Sequence, residues 1–436
     1  MAWAIAQGAA GDTDAESYSP AFLEVGDLLL EGRGVEDVGA DEEHRLLRRT
    51  LRDFAQSKVA PRAQEIHRQD LDVPDEIIRG VAELGLFGLS IPEEFGGSLS
   101  GRPDNVAMLI ATEELSAASL AAGGSLMTRP EILVRALLSG ATEDQKRRWL
   151  PGIATGENLV AVAVTEPDAG SDVSAVKCRA ERRADGSWMV NGAKLWCTFA
   201  GRAQLLMLLC RTGGPGHRGL SLFVAEKPSY PGHEFEHRQR GGGRLRGRAI
   251  PTLGYRGLHT FELEFDGYVL PATALIGEEG RGFYLQMEGF AAGRLQTAGR
   301  AVGVMQAAVR DALAYTRERS LFGKRLAKHE LTRHTLGRMG TRLHAARQLS
   351  YQAGLLLAAE GQEGQMEASL AKLYASRMAE YVTRDAVQLF GGMGYAEETD
   401  VSRYFLDARV LAIFEGAEEV LALRVIAKEL GVPHDA

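Results

Sequence analysis

A chain of 436 residues, 45% hydrophobic and 25% charged, has the material for roughly two to four packed units at ~100–200 residues per domain. The formal net charge of −8 argues against a general nucleic-acid-binding surface, and no uncharged apolar run reaches the ~20 residues a membrane helix needs. Three cysteines, Cys178, Cys197 and Cys210, form no CxxC pair and are too few for a disulfide framework, so a reducing compartment such as the cytoplasm is expected.

Residues 1–40 are rich in Gly, Ala, Asp and Glu and read as a tail with a short helix near 21–30; the first ten lack the basic start of a signal peptide. From 41 to 158 the pattern is helical. Asp41 can cap a helix whose Leu46, Leu47, Leu51, Phe54 and Val59 recur at three- and four-residue steps, and Pro61 ends or kinks it. Further helices are predicted over 75–86, 106–118, 130–138 and 142–150. Between 159 and 277, short strands are predicted over 160–165, 187–190, 205–210, 220–225 and 260–265, with Asn191-Gly192 as a turn. No long helices alternate with them, so an antiparallel β unit is expected rather than a doubly wound sheet. From 278 to 436, helices over 283–319, 329–360, 366–390, 399–406 and 418–430 imply a bundle. The fold class is α+β, in the order helical, β, helical.

Five segments carry candidate chemistry. Residues 163–174, Ala-Val-Thr-Glu-Pro-Asp-Ala-Gly-Ser-Asp-Val-Ser, end an apolar run in a hydroxyl, a carboxylate and a proline that cannot extend a central strand. Gly170 and Ser171 then make either an ordinary turn or one whose N–H groups approach a flat or phosphorylated ligand. Trp196 and Thr198, two apart, fall on one strand face, as a core pair or as the wall of a planar ligand. Arg319-Ser-Leu-Phe322-Gly323-Lys324 follows a long helix and reads as a solvated basic end or as a phosphate site. Gln388-Leu-Phe-Gly391-Gly392-Met-Gly-Tyr closes another helix with a glycine cap. In Ile413-Phe414-Glu415-Gly416, a carboxylate flanked by apolar residues would be desolvated, which raises a Glu toward ~6–7 and suits a base.

In this order and at these intervals, from about residue 41 to 430, the segments resemble the signatures of the acyl-CoA dehydrogenase family. The resemblance implies three domains (helical, β and helical) and an FAD-dependent α,β-desaturation of an acyl-CoA thioester. Glu415 would take the α-proton while the β-hydrogen leaves as hydride to flavin N5. It assigns Val164, Thr165, Gly170, Ser171, Trp196, Thr198, Arg319, Phe322, His329, Gln388, Gly391, Gly392 and Glu419 to FAD, several of them to the FAD of a neighbouring subunit. Ser171, Phe290, Arg294, Gly416 and Arg129 fall to the substrate, and no metal is implied. Implied partners are electron-transfer flavoprotein and further copies of the chain, as a homodimer or homotetramer. Three departures stand out. Glu330 occupies a position where the family often has Gln, Ala417 lacks a hydroxyl common in FAD contacts, and Gly293 sits where some members carry the base.

The acyl group is harder to read. Arg129 falls in a segment that is normally apolar: it either pairs with Glu131 or another acid, or snorkels to solvent, or binds a substrate carboxylate. Residues 124–129, 253–257, 294–304 and 413–427 resemble the branch of the family that oxidises (2S)-methylsuccinyl-CoA to mesaconyl-CoA. Competing expectations are a short branched-chain or glutaryl-type substrate, an oxidase, or a non-catalytic nucleic-acid-associated relative. The last would use Arg238, Arg240, Arg244, Arg246 and Arg248, otherwise a solvated loop.

Overall fold

A computed structural model describes residues 19–33, 41–359, 364–427 and 430. The predicted tail beyond these residues, the end of the 329–360 helix and most of the chain after 427 lie outside them. The chain divides into two compact units, one comprising Met1–Gln64, Asn105–Gly124 and Arg294–Ala436, the other Glu65–Asp104 and Ser125–Gly293.

The first unit is helical. Asp41 starts the helix Glu42–Phe54 by accepting the His44 N–H at 2.8 Å, satisfying one of the donors a helix start leaves open. A π-turn over Ala55–Val59 precedes the helix Ala60–Gln69, so Pro61 sits at the start of a renewed helix where its missing N–H costs little. The short helix foreseen near 21–30 is present as Pro20–Leu30 and packs on the helix Glu330–Ala359, where a Cβ on Gly337 would lie 1.8 Å from the Phe22 carbonyl oxygen. Charged groups are buried among these helices: Glu113 accepts from Arg347 at 2.7 Å, from Arg48 at 3.0 Å and from the Tyr351 hydroxyl at 2.9 Å.

The second unit is built on a sheet of nine strands among the described residues. These are β1 (Val160–Ala163), β2 (Arg179–Arg182), β3 (Trp188–Thr198), β4 (Leu205–Arg211), β5 (Leu220–Glu226), β6 (Glu234–Arg238), β7 (Arg244–Ala249), β8 (Thr260–Leu270) and β9 (Leu275–Ile276). The order is β6-β7-β8-β3-β2-β4-β5-β9, with β1 beside β4. Most pairs are antiparallel as expected, but β1 and β2 each run parallel to β4, because the β2–β3 hairpin turns the chain back before β4 is laid down. In β4, Leu205, Met207 and Leu209 face a core shared with Leu133, Trp149 and Ile153 of the flanking helices. Leu206, Leu208 and Cys210 face a second core with Val190, Phe261 and Tyr268, so this strand is covered on both faces.

Two expectations fail here. Asn191-Gly192 is no hairpin turn: it lies inside β3 at a register shift against β8, a bulge that keeps the strand going. The arginine-rich segment is the β6–β7 hairpin, in which Arg238, Arg244, Arg246 and Arg248 each meet an acid while Arg240 stays exposed. Arg246 meets Glu236 at 2.9 Å and Arg244 meets Asp266 at 2.6 Å, which leaves little free charge for a nucleic acid.

Candidate functional site

In the sheet-containing unit, the 163–171 segment is fixed from beneath. Glu166 accepts from Lys194 Nζ at 2.8 Å and from the backbone N–H groups of Lys177 and Cys178 at 2.7 and 2.9 Å, so its carboxylate is fully used in holding the loop. The Leu195 N–H donates to the Thr165 carbonyl at 2.8 Å, which sets Thr165 beside Trp196. Val164 is buried, while Gly170 and Ser171 face outward, and a Cβ on Gly170 would meet nothing within 4 Å.

Trp196 and Thr198 do not share a regular strand face. A second register shift between Lys194 and Cys197 breaks the alternation, and Trp196 takes φ +59. Its indole is 56% exposed, whereas Thr198 is buried with its hydroxyl 3.0 Å from that of Thr260.

Arg129 neither pairs with Glu131 nor reaches solvent. It is 7% exposed and donates to the Ser125 carbonyl at 2.8 Å and to the Tyr255 hydroxyl at 2.7 Å. Glu131 is taken by Arg135 one helical turn on, at 2.7 Å. Among the described residues no carboxylate pairs with Arg129, and the neighbouring Thr128 hydroxyl is buried without a partner. Phe290 packs against the core that contains Ile132 and Leu133.

In the helical unit, Glu415 follows the helix Asp400–Leu411 with φ +56. Its surroundings are cationic, not apolar as the flanking Ile413 and Phe414 suggested, because Ile413 turns outward and an arginine from another helix enters. Glu415 Oε1 accepts from Arg300 Nη2 at 3.0 Å, and Oε2 is buried without a partner. Arg300 is fully buried, donates to Thr297 Oγ1 at 2.6 Å and lies over the Phe414 ring at 4.6 Å. Lys372 donates to the Gly416 carbonyl at 2.6 Å, and burial pushes its amine down to about 8. Burial likewise lowers the Arg294 guanidinium, against the pull of Glu415; it donates to Ser369 Oγ at 3.4 Å, and Nε has no partner.

The remaining predicted residues assemble elsewhere in this unit. Ser320–Leu321 and Lys324–Arg325 pair as a two-stranded hairpin whose tip is Phe322 (φ +50) and Gly323 (φ +80), the left-handed conformations such a tight turn needs. Phe322 is 90% exposed, Arg319 is exposed, and His329 Nε2 lies 3.1 Å from the Leu321 carbonyl. Tyr315, one turn before Arg319, stacks on Phe390 at 4.1 Å, which joins the helix leading into the hairpin to the helix end that carries Gln388 and runs into Gly391 and Gly392. Glu419 is exposed.

Of the seven non-glycine residues with positive φ among the described residues, Trp196, Phe322 and Glu415 are predicted site residues and Tyr255 holds Arg129; strain is concentrated where chemistry was expected. Sequence reasoning missed Arg300, Lys372 and Tyr255. The one available signal was a charge set among small residues, as in Ala298-Gly299-Arg300-Ala301.

Two other features lie apart from these residues. A groove of about 440 Å³ lined by Trp149, Glu226, Lys227 and His237 contains no predicted site residue. Asp70, His233 and His259 bring three ligand atoms within 4.8 Å, but Asp72 also lies 3.1 Å from His259 Nδ1. Burial disfavours the His259 imidazolium, yet the two aspartates outweigh it and raise its pKa, so the cluster balances as an ion pair.

Three consecutive stretches match the N-terminal, middle and C-terminal domains of acyl-CoA dehydrogenase, over residues 41–157, 161–268 and 280–431. The chain is 42% identical over 90% of its length to (2S)-methylsuccinyl-CoA dehydrogenase of Cereibacter sphaeroides, covering 70% of that protein. It is 34% identical to an acyl-CoA dehydrogenase of Bacillus subtilis, over 89% of this chain and 98% of the relative. Among solved structures, butyryl-CoA dehydrogenase from Megasphaera elsdenii superposes with a TM-score of 0.83 at 31% identity, over 91% of this chain and all of the other.

Proposed function

This chain belongs to the acyl-CoA dehydrogenase family, FAD-dependent oxidoreductases, and on that premise we propose that it oxidises a branched, carboxylated thioester, (2S)-methylsuccinyl-CoA, to mesaconyl-CoA. The observation that carries this reading is Arg129: a buried guanidinium with no carboxylate beside it among the described residues. Such a charge is costly unless a ligand supplies the anion, and a terminal carboxylate accepts from a guanidinium fork in two parallel bonds. The 42% identity to a relative named for this substrate supports it.

The donor set suits FAD. Trp196 offers an exposed flat ring beside Thr165, no atom would crowd a Cβ at Gly170, Gly391 or Gly392, and Arg319 presents an exposed guanidinium for a phosphate. Val164, Ser171, Thr198, Phe322, His329, Gln388 and Glu419 complete the proposed contacts. Bound FAD supplies the hydride acceptor. Glu415, through Oε2, receives the α-proton, and Arg129 holds the acyl terminus. Arg294, Ser171, Phe290 and Gly416 are the further substrate contacts of this reading. The outward Arg319 and Phe322 favour an assembly of at least two copies, a homodimer or homotetramer, in which one chain completes another's cofactor contacts. Electron-transfer flavoprotein is the proposed acceptor and the cytoplasm the proposed compartment; no described helix is long and apolar enough to cross a membrane.

The test is anaerobic titration of the purified flavoprotein with (2S)-methylsuccinyl-CoA, following the flavin band near ~450 nm. Rapid bleaching, absent with butyryl-CoA and isovaleryl-CoA, is the expected result. Bleaching by the monoacyl thioesters alone removes the substrate and leaves the family activity.

A further inference from the structure

Asp70, His233 and His259 belong to the sheet-containing unit and take no part in the reaction proposed above. Sheet order brings the two histidines together. His233 precedes β6, His259 precedes β8, and β7 lies between those strands. The Ala249 N–H donates to the His233 carbonyl at 2.7 Å, and the Ile250 N–H to the Thr260 carbonyl at 2.7 Å, so both histidines sit at one end of the sheet. Their rings stand side by side, with centroids 4.0 Å apart. Asp70 follows the helix Ala60–Gln69 with φ +51, a left-handed turn of the chain. Its carboxylate reaches both rings: Oδ2 is 3.1 Å from His233 Nε2, and Oδ1 is 3.5 Å from His259 Nε2.

This arrangement needs one cation more than two neutral rings supply. His259 Nε2 also lies 3.0 Å from the Asp70 carbonyl, and Nδ1 of the same ring faces Asp72 Oδ1 at 3.1 Å. Three ring nitrogens therefore meet carboxylate oxygens, whereas two neutral imidazoles carry two N–H groups between them. A third proton completes the set as the ion pair already described; a metal ion completes it as well, and serves all three groups at once. Neighbouring ligands on a tetrahedral zinc ion with bonds of about 2.0–2.1 Å stand ~3.3 Å apart, which falls between the two distances from Asp70. Asp72 then has the outer place that a metal-bound histidine calls for, a carboxylate on the ring nitrogen turned away from the metal. It is itself fixed by the Gly232 N–H at 2.7 Å. Arg256 Nε is 3.9 Å from Asp70 Oδ1, but that guanidinium donates to the Thr252 and His67 carbonyls.

We propose that Asp70, His233 and His259 bind one divalent transition-metal ion of the zinc type, with water in the remaining position. Two imidazole nitrogens select against Mg2+ and Ca2+, which take oxygen ligands. His259 is buried and His233 half exposed, so the ion arrives from solvent and rests against a fixed ligand. Its role is to fasten the segment 252–259 to the turn at Asp70, beside the Val73 N–H bond to the Gly257 carbonyl at 2.7 Å. That segment carries Tyr255, whose hydroxyl accepts from Arg129.

The test titrates tag-free holoenzyme, stripped with EDTA and desalted, with zinc sulfate and separately with magnesium chloride in a calorimeter. The expected result is one zinc per chain, no magnesium, and binding at least a hundredfold weaker in His233→Ala. His233 is half exposed, so that variant should keep its fold, which an unchanged flavin spectrum checks. Asp72→Asn leaves every ligand in place and should weaken zinc binding at least tenfold, the usual cost of losing an outer partner. X-ray absorption at the zinc edge should show nitrogen and oxygen neighbours at about 2.0–2.2 Å and no sulfur near ~2.3 Å. Loading should also slow amide exchange over 252–259. No uptake of micromolar zinc leaves only the protonated ion pair and overturns the proposal. Equal zinc binding by wild type and His233→Ala, or sulfur in the zinc shell, places the ion elsewhere and overturns it too.

Discussion

Arg129 and Glu415 carry opposite risks, and their variants separate binding from chemistry. Arg129→Met should raise KM for methylsuccinyl-CoA by about 30-fold or more, since losing one partner of a desolvated charge pair costs about 2–5 kcal/mol. Binding of isovaleryl-CoA, which has no carboxylate to lose, should not weaken, and equilibrium titration with both thioesters checks this. Equal losses on the two would mean that the Arg129 bonds to Ser125 and Tyr255 serve only the fold. Glu415→Gln keeps the shape of the side chain but cannot accept the α-proton. Flavin reduction should slow by about 10²–10⁴, the usual worth of a positioned base, with FAD content unchanged. A smaller loss would move the base elsewhere. Glu415 was legible because its neighbours in sequence are its neighbours in the motif. Arg300 was not, because it reaches Glu415 across 115 residues of chain and stands in no motif of its own.

At the scale of elements, helix periodicity and caps were readable, since Asp41 and the Thr142–Gln145 capping box act within one turn of themselves. Strand continuity was not. Asn191-Gly192 has turn chemistry, yet pairing with β8 on either side of the shift holds it in a strand, so tertiary pairing overrides local preference. The same limit hid the buried ionic network that joins the helices Glu42–Phe54, Asn105–Ala118 and Glu330–Ala359, since Glu113 would be expected on a solvated face. Burial alone would push the Glu113 carboxyl up, but Arg347 and Arg48 outweigh it and hold it at about 2, below the ordinary 4.5. A carboxyl depressed on folding adds stability that is fully present above 4.5 and is lost as pH falls from 4.5 toward 2. The contribution at neutral pH is on the order of 3 kcal/mol. Urea unfolding across this window should show the wild-type midpoint falling steeply. Glu113→Gln, less stable at pH 7 because its arginines lose their anion, should vary far less with acid. Parallel pH profiles for the two proteins would deny the network this role.

At the scale of the whole molecule, the order helical, β, helical was legible from composition and period, whereas the strand joins parallel to β4 were not, because alternation of apolar residues carries no information on strand direction. The proposed FAD contacts are likewise spread through the chain: Thr165, Ser171, Trp196 and Thr198 in the sheet-containing unit, Arg319, Phe322, Gln388, Gly391 and Gly392 in the helical one. A ligand that binds only the folded protein stabilises it by mass action, about 2.7 kcal/mol at a hundredfold excess over Kd. If both sets of residues hold the cofactor, its removal must loosen both units. Stripping FAD and following amide hydrogen exchange should therefore show protection lost at residues 163–171 and 195–198 and also at 319–323 and 388–392, with readdition restoring each. The exposed indole of Trp196 and the strained hairpin tip at Phe322 are the positions where ordering by a ligand should register most, since neither is covered by the chain's own packing. Loss confined to the sheet-containing unit would strike Arg319, Phe322 and the Gly391-Gly392 loop from the cofactor contacts while leaving Trp196 in place. Loss confined to the helical unit would do the reverse, and either result would redraw which half of the chain grips the flavin nucleotide.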